Sequence, residues 1–138
     1  MVRAVASTAG AALGFTSGQV VQEFCWDEDV DASLREAVEA ATGTALVDED
    51  YEDVADGAIV WWRADDGDVD DLTDLLVDAQ ANLDGAGLIW VLTPKARTKG
   101  AVPVSDVEEA VRTAGMHATS AASVGERWSG IRVTSRGH

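Results

Sequence analysis

Gly87 is followed by Leu88-Ile89-Trp90-Val91-Leu92, and the run stops at Thr93-Pro94-Lys95. An unbroken apolar run between a turn glycine and a proline is the pattern of a strand buried on both faces. Ala58-Ile59-Val60-Trp61-Trp62-Arg63 repeats it. Between the two, Val69, Leu72, Leu75, Leu76, Ala79 and Leu83 recur at helical spacing, with Gly85 and Gly87 closing the helix. Val30, Leu34, Ala37, Val38 and Ala41 define an earlier helix over 30–41. Asp29 and Asp31 stand at its start, where carboxylates favour the helix dipole, and Gly43 stops it. Thr44 to Val47 then reads as a short strand. A third helix is expected from Ser105-Asp106-Val107-Glu108, which has capping-box spacing. Met116 to Val124 and Trp128 to Ser135 read as two strands joined by a turn at Gly125-Glu126-Arg127. Gln19 to Trp26 fits two patterns. Thr16 and Gln19 would cap a helix there, whereas Val20, Gln22 and Phe24 would share one face of a strand, with Gln22 and Glu23 awkward in a buried one.

Alternation of strands and helices predicts an α/β protein. The expected architecture is three-layer and Rossmann-like, a mostly parallel sheet with a C-terminal antiparallel hairpin. Residues 1–12 read as a loose tail and 13–138 as one domain. With 46% hydrophobic residues in 138, the chain can bury a core without staples.

The formal net charge is −15, from 25 acidic and 10 basic residues. Such a field repels nucleic-acid backbones and anionic membranes, and suits a basic protein partner or a small ligand. It also suits a plain solvated surface or adaptation to salt. Cys25 is the single cysteine, so no disulfide forms within the chain. No apolar run approaches 18 residues and residues 4–13 lack a leucine-rich centre, so the expected location is the cytoplasm.

Ligands of open parallel sheets sit beyond the C-terminal strand ends. The loops expected there carry Asp27-Glu28-Asp29, Asp48-Glu49-Asp50, Asp65-Asp66-Gly67-Asp68 and Lys95-Ala96-Arg97-Thr98-Lys99. The first is free of glycine, and neither GxGxxG nor GxxxxGK[ST] occurs, which argues against a dinucleotide or P-loop site. Asp65, Asp66, Asp68, Asp70 and Asp71 are a dense oxygen set without EF-hand spacing, better explained as helix-starting acids. His117 reads as a structural strand residue, and Ser129 has no identifiable base. No catalytic residue, metal site or cofactor is assigned. Lys95, Arg97 and Lys99 are expected to compensate the facing acids rather than grip an anion. Of five tryptophans, Trp128, beside a turn, is the candidate exposed anchor. The candidate ligand- or partner-binding set is Asp27, Asp48, Asp65, Asp68, Lys95, Arg97 and Trp128.

Leu13-Gly14-Phe15, Gly18-Gln19-Val20-Val21, Trp26-Asp27-Glu28-Asp29-Val30, Trp61-Trp62-Arg63, Leu92-Thr93-Pro94-Lys95 and Trp128-Ser129-Gly130 together resemble a family of short acidic actinobacterial proteins classed as a domain of unknown function. The resemblance covers residues 13–134 and carries no catalytic residues. From Ala58 onward the order of elements also resembles the C-terminal half of Rossmann-like class I methyltransferases. That resemblance implies a glycine-rich cofactor loop near Phe24 to Asp29, which is absent, and an acidic ribose-binding residue at Asp48 or Glu49. It favours a strand at Gln19 to Phe24. The expected function is a non-catalytic binding module of degenerate Rossmann type. Two alternatives stand beside it: a divergent methyltransferase or cation-dependent hydrolase using Asp27, Asp65 or Asp68, and an acidic mimic of nucleic acid that occupies a basic regulator.

Overall fold

The computed structural model describes residues 13–135, apart from the side chains of 84–86 and 135. The expected tail at 1–12 lies outside the described residues. The order is β1 (Val21–Phe24), α1 (Ala32–Thr42), β2 (Ala55–Trp61), a 3₁₀ turn (Ala64–Asp66), α2 (Val69–Ala81), β3 (Leu83–Pro94), α3 (Val104–Thr113), β4 (Met116–Val124) and β5 (Trp128–Ser135).

Local chemistry sets the helix ends. Asp31 accepts the Leu34 N–H at 2.9 Å, and Gly43 closes α1 at φ 82°. Asp68 and Asp71 form a reciprocal capping box at α2, each accepting the other's backbone N–H at 3.0 Å. The box expected from Ser105 and Glu108 does not form. Pro103 ends the preceding loop, its carbonyl takes the Asp106 N–H at 3.0 Å, and Ser105 falls inside the first turn of α3.

The five strands form one sheet in the order β1-β2-β3-β5-β4. β1, β2 and β3 pair parallel, whereas β5 is antiparallel to both β3 and β4. The sheet is therefore mixed, and the antiparallel ladders are the longer ones. The expectation of a mostly parallel sheet is corrected here. An apolar run reports burial on two faces, and β5 is buried between β3 and β4 whichever way it runs. The short strand expected at 44–47 reduces to one parallel bridge between Val47 and Gln22.

Helices cover both faces. Leu34 and Val38 of α1 pack with Leu13, Phe15, Trp61, Trp90 and Trp128 on one side. Leu72, Leu76, Val107 and Val111 of α2 and α3 pack with Val60, Trp62 and Val91 on the other. Adjacent Trp61 and Trp62 thus enter opposite cores, as strand alternation requires.

The ambiguous segment is a buried strand, and its two polar residues are satisfied. The Gln22 amide donates to the carbonyls of Asp48 and Tyr51, both at 3.1 Å, and accepts from Asn82 at 3.1 Å. Glu23, 5% exposed, receives two hydrogen bonds from Arg35, at 2.8 and 2.9 Å, and one from the Trp61 indole at 2.8 Å. Gln22 therefore fastens β1 to the 48–51 loop and the end of α2, while Glu23 fastens it to α1 and β2.

Glu23→Ala strands the Arg35 charge and the Trp61 N–H together. It is expected to lower stability by about 2–3 kcal/mol, read as a fall in the urea midpoint with unchanged slope. Glu23→Gln, which keeps an acceptor for Trp61, should fall between the variant and the parent.

Candidate functional site

From β1 the chain crosses over α1 to Val47 on one side, then returns to β2 on the other side of β1 and crosses the opposite face through α2. The reversal point lies between the C-terminal ends of β1 and β2, where open α/β sheets hold their ligands.

A side chain of the protein fills this crevice. Arg63, two residues beyond β2, donates from Nη1 to the Cys25 carbonyl at 2.8 Å and to the Trp61 carbonyl at 3.0 Å. Nε donates to Asp29 Oδ2 at 3.1 Å, Nη2 donates to Asp29 Oδ1, and Nη1 also reaches Asp66 Oδ2 at 3.3 Å. The guanidinium lies over the Trp128 ring, 5.3 Å from its centroid. Trp128 meets Trp61 edge to face at 4.8 Å, and its indole N–H donates to the Asp29 carbonyl at 3.3 Å. One cation thus ties together the ends of β1 and β2, the entry to α1, the 3₁₀ turn and the start of β5.

The electrostatics follow from this contact. The hydrogen bonds from Arg63 outweigh burial and hold the Asp29 carboxyl below the usual carboxylate range. Burial works against the charge on Arg63, but Asp29 and Asp66 reverse that and raise its pKa above the ordinary arginine value. Burial, then the charges of Asp66 and Glu49, pushes the Cys25 thiol up to about 11.

The loop after β1 is closed on itself. Cys25 has φ 62°, a left-handed conformation that costs a non-glycine residue about 1 kcal/mol. Its N–H donates to Glu49 Oε2 at 3.1 Å while its carbonyl accepts from Arg63. The Glu28 N–H donates to Asp27 Oδ1 at 2.7 Å, and the Val30 N–H to the Asp27 carbonyl at 3.3 Å. Beside the crevice, an open cleft of about 400 Å³ separates Asp29–Ser33 from the turn at Gly125–Trp128. Gly125 comes so close to the Asp31 carboxylate that a Cβ there would collide with Oδ2.

Among the described residues, no hydrogen bond or ion pair joins one residue of the sequence-predicted binding set to another. Lys95 donates its backbone N–H to the Arg127 carbonyl at 2.8 Å, and Trp128 pairs in register with Pro94. Asp27 and Asp65 are exposed, Asp48 accepts the Asp50 N–H at 3.0 Å, and Asp68 caps α2. Arg97 is exposed at φ 71°. One expectation is corrected. Trp128 is 2% exposed, because Arg63 and Trp61 enclose it; the exposed tryptophan is Trp26, at 54%. Lys95, Arg97 and Lys99 form no ion pair with an acid among the described residues. Among the described residues, ion pairs form at Arg35–Glu23, Arg63–Asp29 and Arg63–Asp66, and the Lys95 ammonium donates to the Gly125 carbonyl at 3.1 Å. Sequence reasoning passed over Arg63 and Asp29. The available signal was a lone arginine ending a buried strand in a chain so rich in carboxylates.

A family model described as "Protein of unknown function (DUF3052)" matches residues 10–137. The chain belongs to the DUF3052 family. It is 43% identical over 128 residues to uncharacterized proteins of Mycobacterium tuberculosis H37Rv and Mycobacterium bovis, covering 93% of this chain and 78% of each of those. In fold, this DUF3052 chain is similar to the mitomycin 7-O-methyltransferase MmcR, with TM-score 0.66, 13% identity, and coverage of 97% of this chain and 54% of that one. The pyocyanin biosynthetic protein PhzM gives TM-score 0.68, 11% identity, and coverage of 96% and 55%. Magnesium protoporphyrin IX methyltransferase (ChlM) from Synechocystis PCC 6803 with bound SAM gives 0.58, 9%, and coverage of 96% and 78%. The chain spans about half the length of the first two. At these identities the likeness is one of fold.

One of these neighbours, ChlM, holds SAM; in the DUF3052 chain the strand-end crevice is taken by its own side chains. The guanidinium of Arg63 takes the strand-end carbonyls, and Glu49, an acid the methyltransferase resemblance would aim at a ribose, is bonded to the Cys25 N–H.

A carboxylate with a lowered folded-state pKa stabilises the fold above its unfolded value, about 3.9 for Asp, and loses that contribution as pH falls through the folded value. The Asp29 side chain is 51% exposed, so its pair with Arg63 is worth a fraction of a kcal/mol. Asp29→Asn is expected to lower Tm by a degree or two at pH 7, and the gap to the parent should close below about pH 4. A constant gap from pH 7 to pH 2 would leave the pairing without a charge component. Cys25 with a pKa of about 11 is thiolate in roughly one molecule per thousand at pH 8. Its alkylation by iodoacetamide should therefore run much more slowly in the native protein than in urea.

Proposed function

We propose that the protein is a non-catalytic binding module built on a degenerate Rossmann-like scaffold, working in the cytoplasm and recognising a basic protein partner on its acidic rim. The observation that carries this reading is the Arg63 guanidinium in the crevice between β1 and β2, bonded to Cys25, Trp61, Asp29 and Asp66. A cofactor entering there must displace a partly buried, multiply bonded cation from its carboxylates and its aromatic platform. Those contacts must be lost before any contact with the ligand is made, which lowers net affinity. The methyltransferase-like neighbours support the scaffold part of the reading, and the net charge of −15 supports the choice of partner.

Isothermal titration with S-adenosylhomocysteine and S-adenosylmethionine tests it. The expected outcome is no saturable heat up to millimolar ligand with the parent protein. Micromolar binding accompanied by methyl transfer to any acceptor would replace this reading with that of a methyltransferase.

A further inference from the structure

Trp26 is the one aromatic residue among the large hydrophobic side chains exposed in the described chain. The other four tryptophans are buried. Half-exposed indoles are uncommon on a protein surface and enriched where partners dock. The backbone that presents Trp26 is fixed at the peptide before it. The Cys25 N–H is held by Glu49, and the Cys25 carbonyl by Arg63, itself bonded to both β1 and β2 ends. The ring is therefore displayed on an ordered support, which lowers the cost of binding against it.

Charge selects the occupant. Asp27 and Glu28 follow Trp26 directly, and Glu49 stands against Cys25. All three are exposed, and among the described residues none has a cation within ion-pair distance. The Glu49 contact recorded is to a neutral N–H. An exposed indole on a segment that also carries exposed carboxylates suits a planar cation that can stack on a ring and donate forked hydrogen bonds to acids of the same rim. Arginine has that geometry and lysine does not.

We infer that Trp26, flanked by Asp27, Glu28 and Glu49, is the anchor of a docking surface for an arginine-bearing segment of a basic protein. The inference rests on the binding-module reading above and names the partner chemistry of its acidic rim. At physiological ionic strength the Debye length is about 8 Å, so the distant carboxylates are largely screened and the local arrangement decides affinity.

The test uses the full chain and a fluorescein-labelled hexa-arginine peptide, read by anisotropy at 150 mM salt. Trp26→Ala should weaken binding at least tenfold with an unchanged Tm, because the side chain is not part of the core. Trp26→Phe should retain most of the affinity. Asp74→Asn with Asp78→Asn, which removes two charges from the exposed face of α2, should change affinity less than twofold. Hexa-lysine should bind several-fold more weakly than hexa-arginine. Equal affinity of the parent and Trp26→Ala, or no saturable binding by the parent, would overturn the anchor. Either result leaves the non-catalytic scaffold part of that reading standing, which falls with the S-adenosyl titrations instead. Sedimentation of the protein alone gives a further outcome. A dimer that dissociates on Trp26→Ala would assign the surface to a second copy, through its basic 95–99 loop, and would also overturn the inference.

Discussion

The rim of this protein depends on one partly buried cation. Arg63 leaves the end of β2 and must find acceptors or carry an unsolvated charge in the crevice. It finds two strand-end carbonyls, two carboxylates and an indole face. Every group it contacts belongs to a different piece of the rim. Satisfying this charge therefore fixes the exit of β1, the entry to α1, the 3₁₀ turn and the start of β5 at once.

β1 plays a corresponding part below the rim. A four-residue strand buried on both faces has no exposed side on which to place polar groups. Gln22 and Glu23 are nevertheless its central residues. Their hydrogen bonds to Asn82, Arg35 and Trp61 turn two expensive residues into fasteners of defined direction. Together with the Arg63 cluster they hold the ends of β1 and β2 to each other and to the elements around them. A scaffold similar in fold to methyltransferases is thus joined to a crevice that is closed from within.

Much of the architecture was legible in the apolar pattern. The two five-residue apolar runs, the helical stripes at Leu34/Val38 and Leu72/Leu76, and the closing hairpin all sit where periodicity places them. Strand direction was not legible, because two-sided burial gives β3 the same sequence signature beside a parallel or an antiparallel neighbour. The start of α3 was misread because a capping box at Ser105 is a local signal, and the backbone fixed by Pro103 overrode it.

By itself the sequence determined a covered α/β sheet, an acidic rim at its C-terminal end, and the lack of the glycines that a nucleotide loop requires. These are properties of local pattern and composition. Tertiary structure decided which charges meet and which tryptophan faces water. Arg63 and Asp29 are 34 residues apart, and Trp128 lies 99 residues beyond the Asp29 carbonyl it bonds. No spacing rule links positions so distant. Their partnership exists only because the sheet brings the ends of β1, β2 and β5 to one edge, where a charge leaving water must take whatever acceptors lie within reach.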